Sequence, residues 1–271
     1  MKKTIFITGT SSGLGKASAK YFASIGWNVA ATMRTPEKET ELTKLENVKV
    51  FKMDVSNVDS VKTAVAEVIA AFGKIDVVLN NAAVASYGAL ELSTEADIEQ
   101  QWNTNIRGVL NVIRAVMPNY RANKGGMFIN VGSAMGLTTV MPLLSLYHMS
   151  KFALEGITEG LYYELKPLNV DVRMIEPGAF SSEFNKGVKF NRDANITGYE
   201  AITDKIENFM NHYDDLPLGT IEEIIEVIEA LATKKSEQFR TVIGEAAVGL
   251  VNARNTTSIE NFLESSLKQF S

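Results

Sequence analysis

The sequence predicts a single doubly wound α/β domain, with a mainly parallel sheet of about seven strands and helices on both faces. Three observations carry this. Strand-like and helix-like segments alternate almost throughout the 271 residues, which implies parallel strands joined by right-handed crossovers. The strand segments are continuously apolar, as burial on both faces requires. No linker, repeat or low-complexity tract breaks the chain, so one domain is expected over residues 1–271.

The elements follow in order. "KTIFIT" is a short β-branched run whose apolar stretch ends at Gly9. That is too short for the core of a signal peptide, so it reads as a buried strand. Glycines follow, then the amphipathic "LGKASAKYFASIG", stopped by Gly26. The strand "NVAATM" comes next, then a helix around Glu37 to Leu45 and the strand "VKVFKM". A helix from about Val58 to Phe72 leads to "IDVVLN". A long helical stretch from about Glu95 to Asn123 precedes "GMFINVG", and a helix from about Tyr147 to Lys166 precedes "VDVRMI". The chain closes with a helix near Ile221 to Thr233, the strand "RTVIG" and a helix near Ser258 to Lys268. Residues from about 180 to 215 form a loop region expected to border a substrate.

Composition removes several classes of function. Apolar residues at 45% and charged residues at 22% are ordinary globular values. A net charge of −5 argues against a nucleic-acid or anionic-membrane binder. Without cysteine there is no disulfide, zinc-thiolate site or thiol nucleophile. His148 and His212 are the only histidines and form no ligand cluster, so no metal is expected. No run of about 18 apolar residues is present, so no membrane span is expected. A soluble cytoplasmic protein is the default.

The segment "TGTSSGLG" joins the first strand to the first helix. Its residues Gly9, Thr10, Ser11, Ser12, Gly13, Leu14 and Gly15 suit a nucleotide pyrophosphate. Glycines let the backbone turn sharply and come close, and the helix N-terminus favours the negative charge. A simple glycine turn is the alternative. At the end of the second strand, where an acid would hold the 2′-hydroxyl of NAD, Met33 is followed by Arg34. A guanidinium there would pair with the 2′-phosphate of NADP; otherwise Arg34 is a solvated surface residue. Asp54, followed by Val55, closes the third strand and suits the adenine amino group or, equally, a helix cap.

Tyr-x-x-x-Lys occurs three times: Tyr120 with Lys124, Tyr147 with Lys151, and Tyr162 with Lys166. In doubly wound sheets, ligands bind beyond the carboxyl ends of the strands, near helix N-termini. Tyr120 and Tyr162 end helices. At 1.5 Å per residue, Tyr162 lies roughly 22 Å along its helix from Tyr147. Only Tyr147 opens a helix on the ligand side, and Ser133 ends a strand at that same edge. The spacing puts Tyr147 and Lys151 on one helix face. An ammonium about 5 Å from the phenol favours phenolate by about 3 kcal/mol at an effective dielectric near 20, lowering its pKa by about 2 from the usual value near 10. Tyr147 then exchanges a proton with an alcohol or carbonyl, and Ser133 hydrogen-bonds the substrate oxygen.

Taken together, "TGTSSGLG", "NNA" (Asn80 to Ala82), Asn105, Ser133, Tyr147, Lys151 and "PG" (Pro177, Gly178) resemble the short-chain dehydrogenase/reductase family, particularly its NADP-preferring carbonyl reductases and hydroxysteroid dehydrogenases. The likeness is close from Met1 to about Glu183. It implies a Rossmann-type fold and hydride transfer between NADP and a small-molecule ketone, aldehyde or secondary alcohol. Tyr147 would be the acid/base, Ser133 the partner of the substrate oxygen, and Lys151 also a ligand of the nicotinamide ribose. Asn105 would hold a water in a relay through Lys151. Asn81, Ala82 and Ala83 would border the cofactor, Ala83 standing where the family usually has glycine. The segment from Pro177 through Gly178 to Ser182 would bound the nicotinamide. The resemblance also implies a homodimer or homotetramer formed through the two long helices, whose apolar residues include Val109, Val112, Leu154 and Leu161. An NADP-sensing regulatory protein needs the glycine loop but not the proton relay, so the intact Ser-Tyr-Lys-Asn set argues against it. A sugar-nucleotide epimerase or dehydratase lacks support in the glycine spacing. Apolar residues in "AMGLTTVMPLLSL" and from Phe180 to Met210 favour a bulky apolar ketone over a sugar.

Overall fold

The structure, a computed structural model, describes residues 2–181, 184, 188, 190–215 and 218–270. Seven strands form one sheet: β1 (Thr4–Thr8), β2 (Asn28–Met33), β3 (Val48–Lys52), β4 (Val77–Asn80), β5 (Gly126–Val131), β6 (Val170–Pro177) and β7 (Arg240–Ile243). Their order is β3-β2-β1-β4-β5-β6-β7, and every pairing is parallel. The order reverses direction between β1 and β4, which opens a crevice at their carboxyl ends.

Alternate residues of each strand face opposite sides, and both sides are apolar. Ile5, Ile7, Val29, Val77, Leu79 and Ile129 pack under α1 (Gly13–Ser24) and α7 (Ile221–Ala232). Phe6, Ala30, Val78, Phe128, Val172 and Met174 pack under α2 (Val58–Phe72), α4 (Gly108–Ala122) and α5 (Ser145–Leu165). Asn57 caps α2, its side chain accepting from the N–H groups of Asp59 and Ser60.

Three sequence expectations change. The helix expected around Glu37 to Leu45 is instead two short 3₁₀ turns, Pro36–Lys38 and Leu42–Lys44. Glu39 Oε1 accepts from the backbone of Glu41 at 2.7 Å and Leu42 at 2.9 Å, a local bond that competes with helix. The stretch from Glu95 to Asn123 is α3 (Glu95–Trp102) and α4, joined by a π-helical turn at Asn103–Arg107. The region around 180–215 is not all loop, since α6 (Glu200–Asn211) lies within it. A helix the sequence did not reveal, α8 (Glu245–Thr256), precedes α9 (Ile259–Gln269).

The apolar residues expected to pair subunits mostly serve the sheet. Val109, Val112 and Leu154 are buried, and Leu161 packs against the same core. The apolar side chains left exposed nearby are Trp102, Met149, Phe152 and Tyr163. No helix among the described residues is long and apolar enough to cross a membrane.

Candidate active site

A cavity of about 850 Å³ opens at the carboxyl ends of the strands. At one end the chain's backbone forms its wall. Gly9 and Gly13 have φ of +71° and +52°, conformations that side chains with a Cβ rarely adopt. A Cβ on Gly9 would come within 2.9 Å of Ala82 Cα, and one on Gly15 would overlap the Gly9 carbonyl. The loop therefore lies against the end of β4 with no room to spare.

Thr8 and Asn81 tie that contact. The N–H groups of Asn81 and Ala82 both donate to Thr8 Oγ1 at 2.9 Å, and Asn81 Nδ2 donates to the carbonyls of Thr8 and Gly9. Asn81 thus borders the cavity but spends its amide on the loop. Thr8 was missed by sequence reasoning, although a hydroxyl just before the first glycine was the available signal.

Gly9, Ser11, Ser12, Gly13, Leu14 and Gly15 all line the cavity. Thr10 does not: it is buried and turned toward β2, where its N–H and hydroxyl both donate to the Thr32 carbonyl. Met33, Arg34, Asp54, Val55, Ala82 and Ala83 continue the lining, with Arg34 exposed. Asp54 Oδ1 accepts from the N–H and hydroxyl of Ser56. The helix cap that Asp54 was offered for belongs to Asn57.

The same cavity reaches Ser133, Tyr147 and Lys151. Ser133 follows β5, Tyr147 lies in the first turn of α5, and Lys151 follows one turn later. Tyr120 and Tyr162 are elsewhere. Tyr120 is a core residue whose hydroxyl donates to the Met127 carbonyl at 2.7 Å, and Tyr162 stacks edge-on with Phe239.

Lys151 Nζ lies 5.6 Å from the Tyr147 ring centroid and donates to the Val131 carbonyl at 2.8 Å. Burial brings its pKa down to about 8, against the opposing charges of Glu176 and Glu155. Burial also pushes the Tyr147 phenol up to about 12, the Ser133 hydroxyl working the other way. This corrects the expected lowering of the phenol. Loss of hydration outweighs an ammonium whose hydrogen bond is turned to Val131.

Asn105 departs further from expectation. It is buried and outside the cavity lining. Its Nδ2 donates to the Val84 carbonyl and to Ser150 Oγ, while Oδ1 accepts from the Val84 N–H. Its side-chain amide is committed to Val84 and Ser150. Ser150 in turn donates to the Tyr147 carbonyl, so Asn105 braces the turn that carries the tyrosine.

Pro177 and Gly178 line the cavity at the end of β6. Gly178 donates to the Ile243 carbonyl at 2.9 Å, and a Cβ there would overlap Ala247 of α8. Ser182 lies outside the described residues. Beyond Tyr147 the lining is rich in aromatic and apolar residues, with Tyr87, Met141, Phe180, Phe184, Phe209 and Phe270, interspersed with the polar Lys205, Asn208, His212 and Gln269. The Phe184 ring is 6.2 Å from that of Tyr147, and Phe209 meets Phe270 edge-on at 6.3 Å. Phe270 follows α9 and forms part of this wall. Its approach carried no local sequence signal. No group of three or more His, Asp or Glu suited to a metal occurs among the described residues.

Comparison with known proteins agrees with this geometry. Residues 3–193 match the short chain dehydrogenase family. The chain is 38% identical over 242 residues to an uncharacterized oxidoreductase of Schizosaccharomyces pombe, covering 88% of this chain and 99% of that one. It is 33% identical over 275 residues to 3-ketodihydrosphingosine reductase of Bacteroides thetaiotaomicron, covering 98% and 97%. A solved short-chain dehydrogenase from Streptomyces avermitilis superposes with a TM-score of 0.84 at 27% identity, over 99% and 97% of the two chains. The chain belongs to the short-chain dehydrogenase family of oxidoreductases.

Proposed function

We propose that the protein is an NADP(H)-dependent oxidoreductase that interconverts a bulky apolar ketone or aldehyde and its alcohol. One observation carries the proposal: Ser133, Tyr147 and Lys151 converge on a cavity whose far end is a glycine cradle ending at Arg34. The cradle suits a dinucleotide, because Gly9 and Gly15 let the loop turn tightly against β4 and Gly13, with nothing within 4 Å of where a Cβ would stand, leaves its outer side open. The N-terminus of α1 faces the position of the pyrophosphate. Arg34, with Met33 in place of an acid, favours a 2′-phosphate.

Bound there, the nicotinamide would exchange a hydride with the substrate carbon. Ser133 and Tyr147 would hold the substrate oxygen, and Tyr147 would donate its proton to a carbonyl or withdraw one from an alcohol. Lys151 would hold the nicotinamide ribose, and its charge would favour phenolate. Pro177 and Gly178 would bound the nicotinamide, with Ser182 assigned to its carboxamide. The aromatic residues of the wall would suit an apolar substrate. Similarity to a reductase whose name specifies a 3-keto sphingoid base supports a ketone of that apolar kind.

A sensor of NADP would need none of the Ser133-Tyr147-Lys151 geometry. The exposed Trp102, Met149, Phe152 and Tyr163 support a homodimer or homotetramer. The deciding experiment is NADPH oxidation with a panel of ketones and aldehydes of graded chain length, alongside Tyr147→Phe. Turnover of long apolar ketones that is lost in the variant supports the reading. Tight NADPH binding with no turnover of any member would leave the sensor.

A further inference from the structure

Behind the Ser133 end of the cavity lie two buried carboxyls that the chemistry of Tyr147 leaves unexplained. Glu176 of β6 is 0% exposed and Glu155 of α5 is 6% exposed. Each has one oxygen engaged. Glu176 Oε2 accepts the Ser133 N–H at 2.7 Å. Glu155 Oε2 accepts from Arg240 Nε at 2.9 Å and also from its Nη2. The other oxygen of each, Oε1, is buried without a hydrogen-bond partner among the described residues.

Glu155 acts on Glu176 through both side-chain hydrogen bonding and charge, and both raise the Glu176 carboxyl. Ionised carboxylates only accept. Two ionised carboxylates buried together would repel, and neither could donate to the other's Oε1. A single proton removes both costs. The surrounding charges agree: Lys151 and Arg240 are the nearby cations, and Glu159 is the second anion on Arg240. With one proton on the pair, two cations face two anions. Glu176 is fully buried, its carboxyl set against Gly132, where a Cβ would overlap both oxygens.

We propose that Glu155 and Glu176 share one proton at neutral pH, and that the neutral Glu176 is a positioning residue that fixes the Ser133 backbone beside the reacting oxygen. Burial, together with the Glu155 charge, pushes the Glu176 carboxyl well above the usual carboxylate range. Charge on Glu176 is one of the influences that raise the Tyr147 phenol, so the shared proton also spares the acid/base an unfavourable neighbour. The positioning role rests on the oxidoreductase reading, whereas the proton itself does not.

Glu176→Gln tests the pair, because its amide oxygen can accept from Ser133 and its NH₂ can donate to Glu155. Infrared spectra of the protein without substrate should show a carboxylic-acid C=O band at neutral pH that Glu176→Gln lacks. A group whose pKa is raised on folding stabilises at low pH and loses that contribution as pH rises toward the folded value. Between the two values the wild-type unfolding constant should therefore rise more steeply than that of Glu176→Gln, by up to about tenfold per pH unit. Turnover should survive in Glu176→Gln within about threefold, whereas Glu176→Ala should lose at least about tenfold in kcat with little change in KM for NADPH. Absence of the band, or identical pH slopes, would overturn the shared proton in either variant's background. Wild-type kcat in a folded Glu176→Ala protein would overturn the positioning role. Failure of all turnover in the wild type would count against the oxidoreductase reading and leave the spectroscopic result intact.

Discussion

At the β1–β4 end of the cavity, backbone meets backbone. Gly9 presses on Ala82, Asn81 is tied to Thr8 and Gly9, and Thr10 is anchored to Thr32. At the opposite end, side chains meet across elements far apart in sequence. Phe209 of α6 faces Phe270 beyond α9, and Phe184 faces Tyr147. The first end has little freedom to change, since each glycine there has a steric reason. The second can change one side chain at a time without disturbing the sheet. Between them lie Ser133, Tyr147 and Lys151, on which the proposed chemistry rests.

The largest expected effect is at that boundary. Tyr147→Phe should lower kcat at least about a hundredfold, the usual scale for a lost general acid or base, with NADP affinity nearly intact. Tyr120→Phe should keep activity and lose about 1 kcal/mol of stability, because it removes one buried hydrogen bond. Tyr162→Phe should do little. Full turnover in Tyr147→Phe would break the assignment. With the phenol pushed up to about 12, Tyr147 is an acid throughout the neutral range. Carbonyl reduction should then keep its proton donor from about pH 6 to 9 and change only as Lys151, brought down to about 8, loses its charge, while alcohol oxidation, which needs phenolate, should rise by up to about tenfold per pH unit. Lys151→Met should depress oxidation further and weaken the cofactor.

The cofactor end comes next. Arg34 should make NADPH preferred over NADH by roughly 10- to 150-fold, from a charge-assisted pair worth about 1.5–3 kcal/mol. Met33→Asp with Arg34→Ala should reverse the order, since a carboxylate accepts from the 2′-hydroxyl and repels the phosphate. Catalytic efficiencies with both cofactors, before and after the exchange, make the measurement. A wild-type preference for NADH would remove Arg34 from the site and leave Tyr147 untouched.

The same contrast explains what the sequence could and could not tell. The alternation of strand and helix, the buried strands and the glycine loop are local patterns, and they led to the seven-stranded parallel sheet that is found. Tyr147 was separable from Tyr120 and Tyr162 because its place on a helix followed from local boundaries. The helix expected around Glu37 failed for a local reason too, but one carried by a single side-chain bond from Glu39 that periodicity does not register. Asn105 and Thr10 show a different limit. Their positions were legible, but the direction of their side chains depended on Val84, Ser150 and Thr32, which are distant in sequence. Glu176 was legible as an acid within "MIEPG", yet its significance needed Glu155 opposite. The aromatic wall was the least legible part, because α6, α8 and the approach of Phe270 are set by packing across the whole fold.

A smaller effect belongs to that wall. Phe270→Ala should raise KM for a long apolar ketone by about tenfold, corresponding to about 1.4 kcal/mol for a partly buried aromatic contact. KM for NADPH should stay constant. Equal KM changes for short and long ketones would mean that Phe270 supports the fold and does not grade the substrate.

The smallest effect tests the rigid end at a single oxygen. Asp54 Oδ1 holds the Ser56 turn, whereas Oδ2 accepts nothing from the described residues and lies on an acid that lines the cavity. Asp54→Asn can keep an amide oxygen for Ser56 and put an NH₂ where Oδ2 was. If Oδ2 serves the adenine amino group, the variant faces it with a donor. NADPH affinity should then fall by about 2- to 5-fold, from a hydrogen bond worth about 0.5–1 kcal/mol, while Tm stays within a degree or two of wild type. Reduced nicotinamide mononucleotide, which has no adenine, should bind both proteins equally. A fall in Tm with unchanged NADPH affinity would assign Asp54 to the turn alone. The adenine would then be held only by the walls around Val55, and the cofactor end would be more apolar than its glycine cradle suggests.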